Sequence, residues 1–323
     1  VSEIILGDEP DEASPAPAHG VGSIDLGIDW PDTAGEARTP EVDTMPVHPA
    51  DLPLVEARVL LERPFFALAR KPVPRLPAYT DPTGRLHLQV QAADSTKGVA
   101  TLADADILIV LTTLMNANRG AGGRAEAQVC LPASTWLRLC RRQTGGRQHR
   151  LLAEALDRLR DTCITTNIGP TGEPGPMRSF SLLAGWSQHG RKGLTLTAGD
   201  WLVEAVEAGA LLSLTEGYFD LPLGYARWLY RTARKHAGRQ AGGYRAYDRT
   251  LWRKSGATGT LAHFRTELKR LVLADALPDY RLTWIPGGLA RDPQIWMRPD
   301  TKGKRDGVKL TAQRQAARGT SRI

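Results

Sequence analysis

The side chains best suited to recognition chemistry are crowded into one stretch of the second half of the chain. Arg249, Arg253, Lys254, Thr258, Thr260, His263, Arg265, Thr266, Lys269 and Arg270 follow one another with few acids between them. Guanidinium and ammonium groups pair with phosphate, while hydroxyl and imidazole groups donate to or accept from base edges. The set suits the reading of a polyanion rather than the making of bonds. Catalytic or metal chemistry would need other groupings. The seven histidines (His19, His48, His87, His149, His189, His236 and His263) form no HxH or HxxxH pair, and the cysteines form no CxxC. No GxxxxGK[ST] phosphate cradle occurs either. The expectation is a protein without enzymatic activity, cofactor or metal.

Elements able to position this set can be read around it. Leu261, Phe264, Leu268 and Leu271 recur at i, i+3, i+7 and i+10, which predicts a helix with one buried face. The turn from Lys254 to Thr260 holds Gly256, Gly259 and several hydroxyl N-caps, and a shorter helix begins near Asp248. A strand at 280–285, Pro286-Gly287-Gly288 and a second strand at 295–297 complete a helix-turn-helix with a β-hairpin wing. On that helix Thr258, Thr260, His263 and Thr266 are the candidates for base edges. Arg249, Arg253, Lys254, Arg265, Lys269 and Arg270 are the candidates for phosphate.

The same order of elements is expected earlier. A helix from Leu131 to Cys140, a turn at Gln143–Gly146 and a longer helix at Arg147–Asp161 precede strands at Cys163–Ile168 and Phe180–Trp186, with a wing-like Gly169–Pro176 between. A third strand at 194–196 and a helix at 200–207 follow. Shifted by 112 residues, Leu152, Leu156 and Leu159 fall on Phe264, Leu268 and Leu271. This predicts two modules in tandem, the first offering Arg141, Arg142, Arg147, Arg150 and Arg158 to phosphate. Upstream, a strand at 86–90 precedes a capping box at Thr101–Asp104 and a largely apolar helix at 104–118. Between the modules, 223–236 reads as a helix with Arg227, Arg231, Arg234 and Lys235 on its outer face, crossing the DNA backbone or supporting the recognition helix.

The 323 residues carry a net charge of +7 that is unevenly spread. Residues 1–50 hold eleven acids and one base, Arg38, whereas 225–271 hold twelve Lys/Arg against Asp248 and Glu267. Residues 298–323 hold eight Lys/Arg against two acids. Such asymmetry points to a nucleic-acid partner. The acidic, proline-rich head and the cationic tail are expected to be disordered. Three cysteines without a pattern fit small apolar residues in a reducing cytoplasm. The most apolar run, 107–114, is far shorter than the roughly 20 residues that span a bilayer, and no membrane partner is expected. The fold class expected is α+β: two tandem winged-helix domains at 59–210 and 211–298, an acidic segment at 1–58 and a basic tail at 299–323.

Several motifs go beyond pattern. Residues 62–68 (ERPFFAL), 97–109 (KGVATLADADILI) and 156–168 (LDRLRDTCITTNI) resemble the plasmid replication initiator protein A (RepA) family. So do 200–202 (DWL), 218–221 (YFDL), 228–238 (WLYRTARKHAG) and 254–258 (KSGAT). The resemblance implies an initiator that binds repeated sequences (iterons) in double-stranded plasmid origin DNA and recruits a host helicase and host initiator. It implies that the C-terminal module reads the major groove, and that the N-terminal one contacts backbone and mediates a homodimer, with copy control as a further role. It places the protein in the bacterial cytoplasm, associated with plasmid or nucleoid. Exposed strand edges near 86–90 or 163–168 are the expected dimer contacts. A transcriptional repressor built on the same modules, without initiator activity, is the alternative; a single palindrome rather than direct repeats would mark it. A nicking initiator is disfavoured because Tyr225, Tyr230, Tyr244 and Tyr247 have no two-histidine metal site at hand.

Overall fold

The computed structural model describes residues 49–68, 71–119, 123–190, 193–238, 240–288 and 291–300. The expected disorder of the acidic head and the basic tail falls on residues outside this set, as far as 48 and from 301 onward.

The chain is organised around α1 (Leu102–Ala117). The Asp104 carboxylate accepts the Thr101 N–H (2.8 Å) and hydroxyl (3.0 Å), as the capping spacing predicts. From Ile107 to Met115 every residue is buried, because a helix apolar on all sides is stable only inside a core. Before it come β1 (Val55–Ala57), β2 (Tyr79–Thr80) and β3 (His87–Ala92). After it come β4 (Gln128–Leu131), α2 (Ala133–Leu139) and α3 (Gly146–Asp161), whose buried Leu152, Leu156 and Leu159 face inward. Next are β5 (Thr162–Ile168), β6 (Pro174–Phe180), β7 (Leu183–Gln188), β8 (Leu194–Ala198), α4 (Asp200–Glu207) and β9 (Leu211–Ser213).

The second module follows as α5 (Tyr225–Ala237), β10 (Tyr244–Tyr247), α6 (Asp248–Ser255), α7 (Leu261–Leu273), β11 (Tyr280–Ile285) and β12 (Gln294–Pro299). Its antiparallel sheet has the order β10-β12-β11. In the first module the sheet order is β4-β8-β7. Both modules therefore run helix, strand, helix, helix, and end in two strands of which the last lies in the middle. The recurrence expected from sequence is present, with one correction. The expected wing-like loop at 169–176 ends early, since β6 begins at Pro174, and β5 with β6 belongs to a different sheet of order β2-β3-β5-β6. The counterparts of β11 and β12 are β7 and β8. The expected strand at 180–186 breaks at Ser181-Leu182, where β6 ends and β7 begins in another sheet.

The same topology removes the expected dimer edges. β3 lies between β2 and β5, and β5 between β3 and β6, so both are hydrogen-bonded on two sides. The free edges of this sheet are β2 and β6. β9, just beyond residue 210, pairs antiparallel with β1 and so ties the start of the linker back to the first module. Of the cysteines, Cys140 is buried, whereas Cys163 is half-buried and Cys130 exposed. No helix among the described residues is long and apolar enough to cross a membrane.

Candidate nucleic-acid interface

The turn between α6 and α7 is built from two local devices. Gly256 ends α6 in the left-handed region (φ 65°), and a Cβ there would lie 2.8 Å from Cβ of Pro64. Thr260 then caps α7, its hydroxyl accepting the His263 N–H at 3.2 Å. Phe264, Leu268 and Leu271 are buried as the spacing predicts. Phe264 meets Trp228 and Tyr225 of α5 edge to face, at 5.6 Å in both cases. The opposite face of α7 is open: Ala262, His263, Thr266, Lys269 and Arg270 are exposed, as are Thr258 and Thr260 in the turn. The Thr266 hydroxyl donates to the Ala262 carbonyl (3.1 Å), which leaves it an acceptor. His263 stands edge-on to Tyr225 at 6.2 Å.

The phosphate candidates of this module divide into two groups. Arg253 is exposed on α6. Arg270 is 73% exposed while donating to Glu267 of its own helix (2.7 Å), and Lys269 places its ammonium 5.1 Å over the ring of Trp284 on β11. The others are engaged within the chain. Arg249 donates to Asp292 (2.9 Å). Arg265 bridges Asp248 and Asp292. Lys254 bonds Glu62 at 3.0 Å, across the boundary with the first module.

In the first module, Arg158 grips Asp104 with two parallel hydrogen bonds (2.9 and 2.8 Å). Arg142 donates to Asp106 and to the Ala103 carbonyl. Arg141 lies 3.2 Å from Asp220 and 3.8 Å from Glu216. Arg147 and Arg150 are exposed on α3. Thus Arg142 and Arg158 hold the N-terminal turns of α1 rather than facing outward.

The structure overturns one expectation outright, the outward basic face of α5. Arg227 and Arg231 are buried, the latter 1% exposed. Spaced four apart, Arg227, Arg231 and Lys235 share one helix face, and each meets an acid of the first module. Arg227 pairs with Asp106, Arg231 with Glu56 and Lys235 with Glu62 at 3.4 Å. Arg227 also caps the carbonyls of Phe219 (2.8 Å) and Leu221 (3.0 Å), and Arg231 caps that of Leu60 (2.9 Å). Arg234, the remaining member, bonds the Ser213 carbonyl and hydroxyl.

Glu62 is the hub of this joint, ringed by Arg63, Lys235, His236 and Lys254. Burial alone would raise its pKa, but Lys254, Arg63, His236 and Lys235 together hold it down to about 2. Burial and then Lys254 push His236 down to about 4, which keeps the ring neutral and able to accept the Lys254 ammonium at 3.5 Å. Burial pushes Glu56 up to about 7 in spite of Arg231. These joint residues were missed as a unit by sequence reasoning. The four-residue spacing of Arg227, Arg231 and Lys235 was the available signal.

Several of the motifs that carried the family resemblance meet in space, four of them at this joint. Residues 62–64 pack on 254–256 and on the end of α5, Asp106 meets Arg227, and Phe65 lies 5.8 Å from Trp201. The sequence profile described as replication initiator protein A matches residues 56–282, the span from β1 to β11. A curated protein of Wigglesworthia glossinidia brevipalpis, whose description names replication, is 30% identical over 195 residues, covering 58% of this chain and 70% of the relative. A crystal structure of domains 2 and 3 of RctB superposes with a TM-score of 0.49 at 16% identity, over 76% of this chain and 99% of that one. A second crystal structure of RctB domains 2-3 gives 0.45 at 15% identity, over 77% and 99%. With its profile match running through both modules and the joint between them, the chain belongs to the replication initiator protein A family.

Proposed function

We propose that the protein is a plasmid replication initiator that binds repeated sequences in double-stranded origin DNA through its second module. Both modules are taken as winged helices, with α7 the recognition helix and β11–β12 the wing. The observation that carries this reading is the two-faced character of α7. Phe264, Leu268 and Leu271 fix it to the body, while His263, Thr266, Lys269 and Arg270 remain open to solvent. Thr258, His263 and Thr266 would face base edges, and Arg253, Lys269 and Arg270 would hold phosphates on either side. Arg147 and Arg150 of α3 would supply further backbone contacts from the first module. No chemical step is assigned to the chain; its task is to mark the origin and recruit a host helicase and initiator in the bacterial cytoplasm. Self-association would use a free sheet edge, β2 or β6.

Footprinting on the plasmid or chromosomal DNA beside the gene tests the reading. Protection of direct repeats next to an A·T-rich segment is expected, together with replication of a plasmid carrying that segment when the protein is supplied in trans. Protection of a single palindrome over a promoter, with no replication, would instead make the protein a repressor.

A further inference from the structure

The limb that leaves β11 and the limb that enters β12 are held to each other. Gly288 and Arg291 exchange backbone hydrogen bonds of 3.1 and 3.3 Å. A Cβ on Gly287 would lie 2.3 Å from the Arg291 carbonyl oxygen, so a side chain there would force the two limbs apart. The returning limb is fastened to the helix-turn-helix at two levels. The Asp248 N–H donates to the Pro293 carbonyl at 3.0 Å. One residue earlier, the Asp292 carboxylate accepts from Arg249 of α6 (2.9 Å) and from Arg265 of α7 (3.0 Å). Arg265 in turn grips Asp248, which is fully buried at the start of α6. The Arg249 hydrogen bond holds the Asp292 carboxyl below the usual carboxylate range. A single acid in the wing loop therefore engages two guanidinium groups beside the candidate reading face and joins three elements.

We infer that Asp292 is a positioning residue for sequence discrimination: it sets the wing against α6 and α7, withholds Arg249 from DNA phosphate and shares the holding of Arg265 with Asp248. The inference rests on the DNA-reading role of the second module. Its physical basis is that a phosphodiester offers a guanidinium the same anionic oxygens as a carboxylate. Arginines released from Asp292 would take phosphate wherever a duplex offers it. Phosphate contacts raise affinity for every sequence and carry no sequence information. Freeing Arg249, and the outer nitrogen of Arg265 that Asp248 does not hold, should make binding stickier for every sequence. The wing, no longer fixed by Asp292 to α6 and α7, then loses its register on the preferred sequence, and selectivity falls.

The experiment uses the full chain with D292N, which keeps the shape and removes the charge, and D292E, which keeps the charge. Two duplexes serve as probes: the sequence the unaltered protein enriches from a random library, and a scrambled sequence of equal length and composition. For D292N the affinity for the scrambled duplex should rise, and the log–log salt slope should steepen by about 0.9 for the released Arg249. The ratio between the two duplexes should fall about tenfold or more. D292E should keep most of the original slope and ratio. Equal slope and ratio in D292N overturn the inference, as does a uniform loss of binding to both probes, which would mark a purely structural role. Failure of the parent reading looks different: the unaltered protein would then bind neither duplex in a salt-dependent way.

Discussion

α3 and α7 occupy equivalent places in the two modules, and their inner faces follow the same rule. Leu152, Leu156 and Leu159 in one match Phe264, Leu268 and Leu271 in the other, all buried. Their outer faces differ. On α3 the cations are interleaved with acids: Arg158 is held by Asp104, Arg160 by Asp157 and Asp161, and Asp157 also accepts from Trp186 and faces Lys97. On α7 the exposed run His263, Thr266, Lys269, Arg270 has one acid beside it, Glu267. The C-terminal half of α3 is thus closed with ion pairs, leaving Arg147 and Arg150 exposed at its start. By contrast, α7 keeps His263, Thr266 and Lys269 open along its length although Arg265 and Arg270 are paired. A repeated framework fixes where a helix lies, not what its solvent face is for.

The contrast is broken most forcefully at Arg158. R158A would leave Asp104 buried at the start of α1 without its cation, and stripping one partner from a buried pair costs about 3–5 kcal/mol. Denaturant unfolding should show that loss, while DNA affinity per folded molecule stays close to that of the parent. A large loss of affinity at unchanged stability would return Arg158 to the DNA-contacting set and erase the distinction between the helices.

The joint between the modules responds to acid. Glu62 titrates near 2 in the folded protein against 4.5 for the free side chain, so its stabilisation is complete above 4.5 and is lost as pH falls toward 2. The neutral His236 adds a second loss, because its pKa drops from 6.5 to about 4 on folding: stability declines as pH falls through that window. Glu56, raised to about 7, works the other way and favours the folded state as pH falls from 7 to 4.5. Unfolding free energy measured against pH should therefore fall steeply below 4.5, by on the order of 3 kcal/mol if the whole Glu62 shift is expressed. E62Q should flatten that limb. An unchanged acid limb in E62Q would mean that the modules are held together by something other than this cluster.

Some of this was readable from the chain and some was not, for a consistent reason. The buried faces of α1, α3 and α7 are local, since apolar spacing within a dozen residues determines which side turns inward. The Thr101–Asp104 cap and the Gly256 turn are local as well. What β5 and β6 pair with is not local; their alternation predicts strands but not which sheet receives them. The destination of the basic side chains is even less local. Arg227 lies 121 residues from Asp106, Arg231 175 from Glu56 and Lys254 192 from Glu62. A basic stripe on a helix looks the same in sequence whether it faces solvent or the acids of another module. Four of the family motifs, at 62–68, 97–109, 228–238 and 254–258, meet across one joint, although nothing in their own spacing announces it.

The smallest effect separates two neighbours that look interchangeable. Arg253 and Lys254 stand side by side near the end of α6, one exposed and one bound to Glu62. If the outward residue meets phosphate and the inward one does not, R253A should lower the log–log salt slope of duplex binding by about 0.9 without moving the unfolding midpoint. K254A should do the reverse: it removes a donor from Glu62 and the partner of His236, so the midpoint shifts and the slope stays. Measuring both variants on both axes matters because either axis alone leaves room for an indirect effect. Equal slopes for the two variants would show that position on α6, rather than the pairing seen across the joint, decides which cation the DNA encounters.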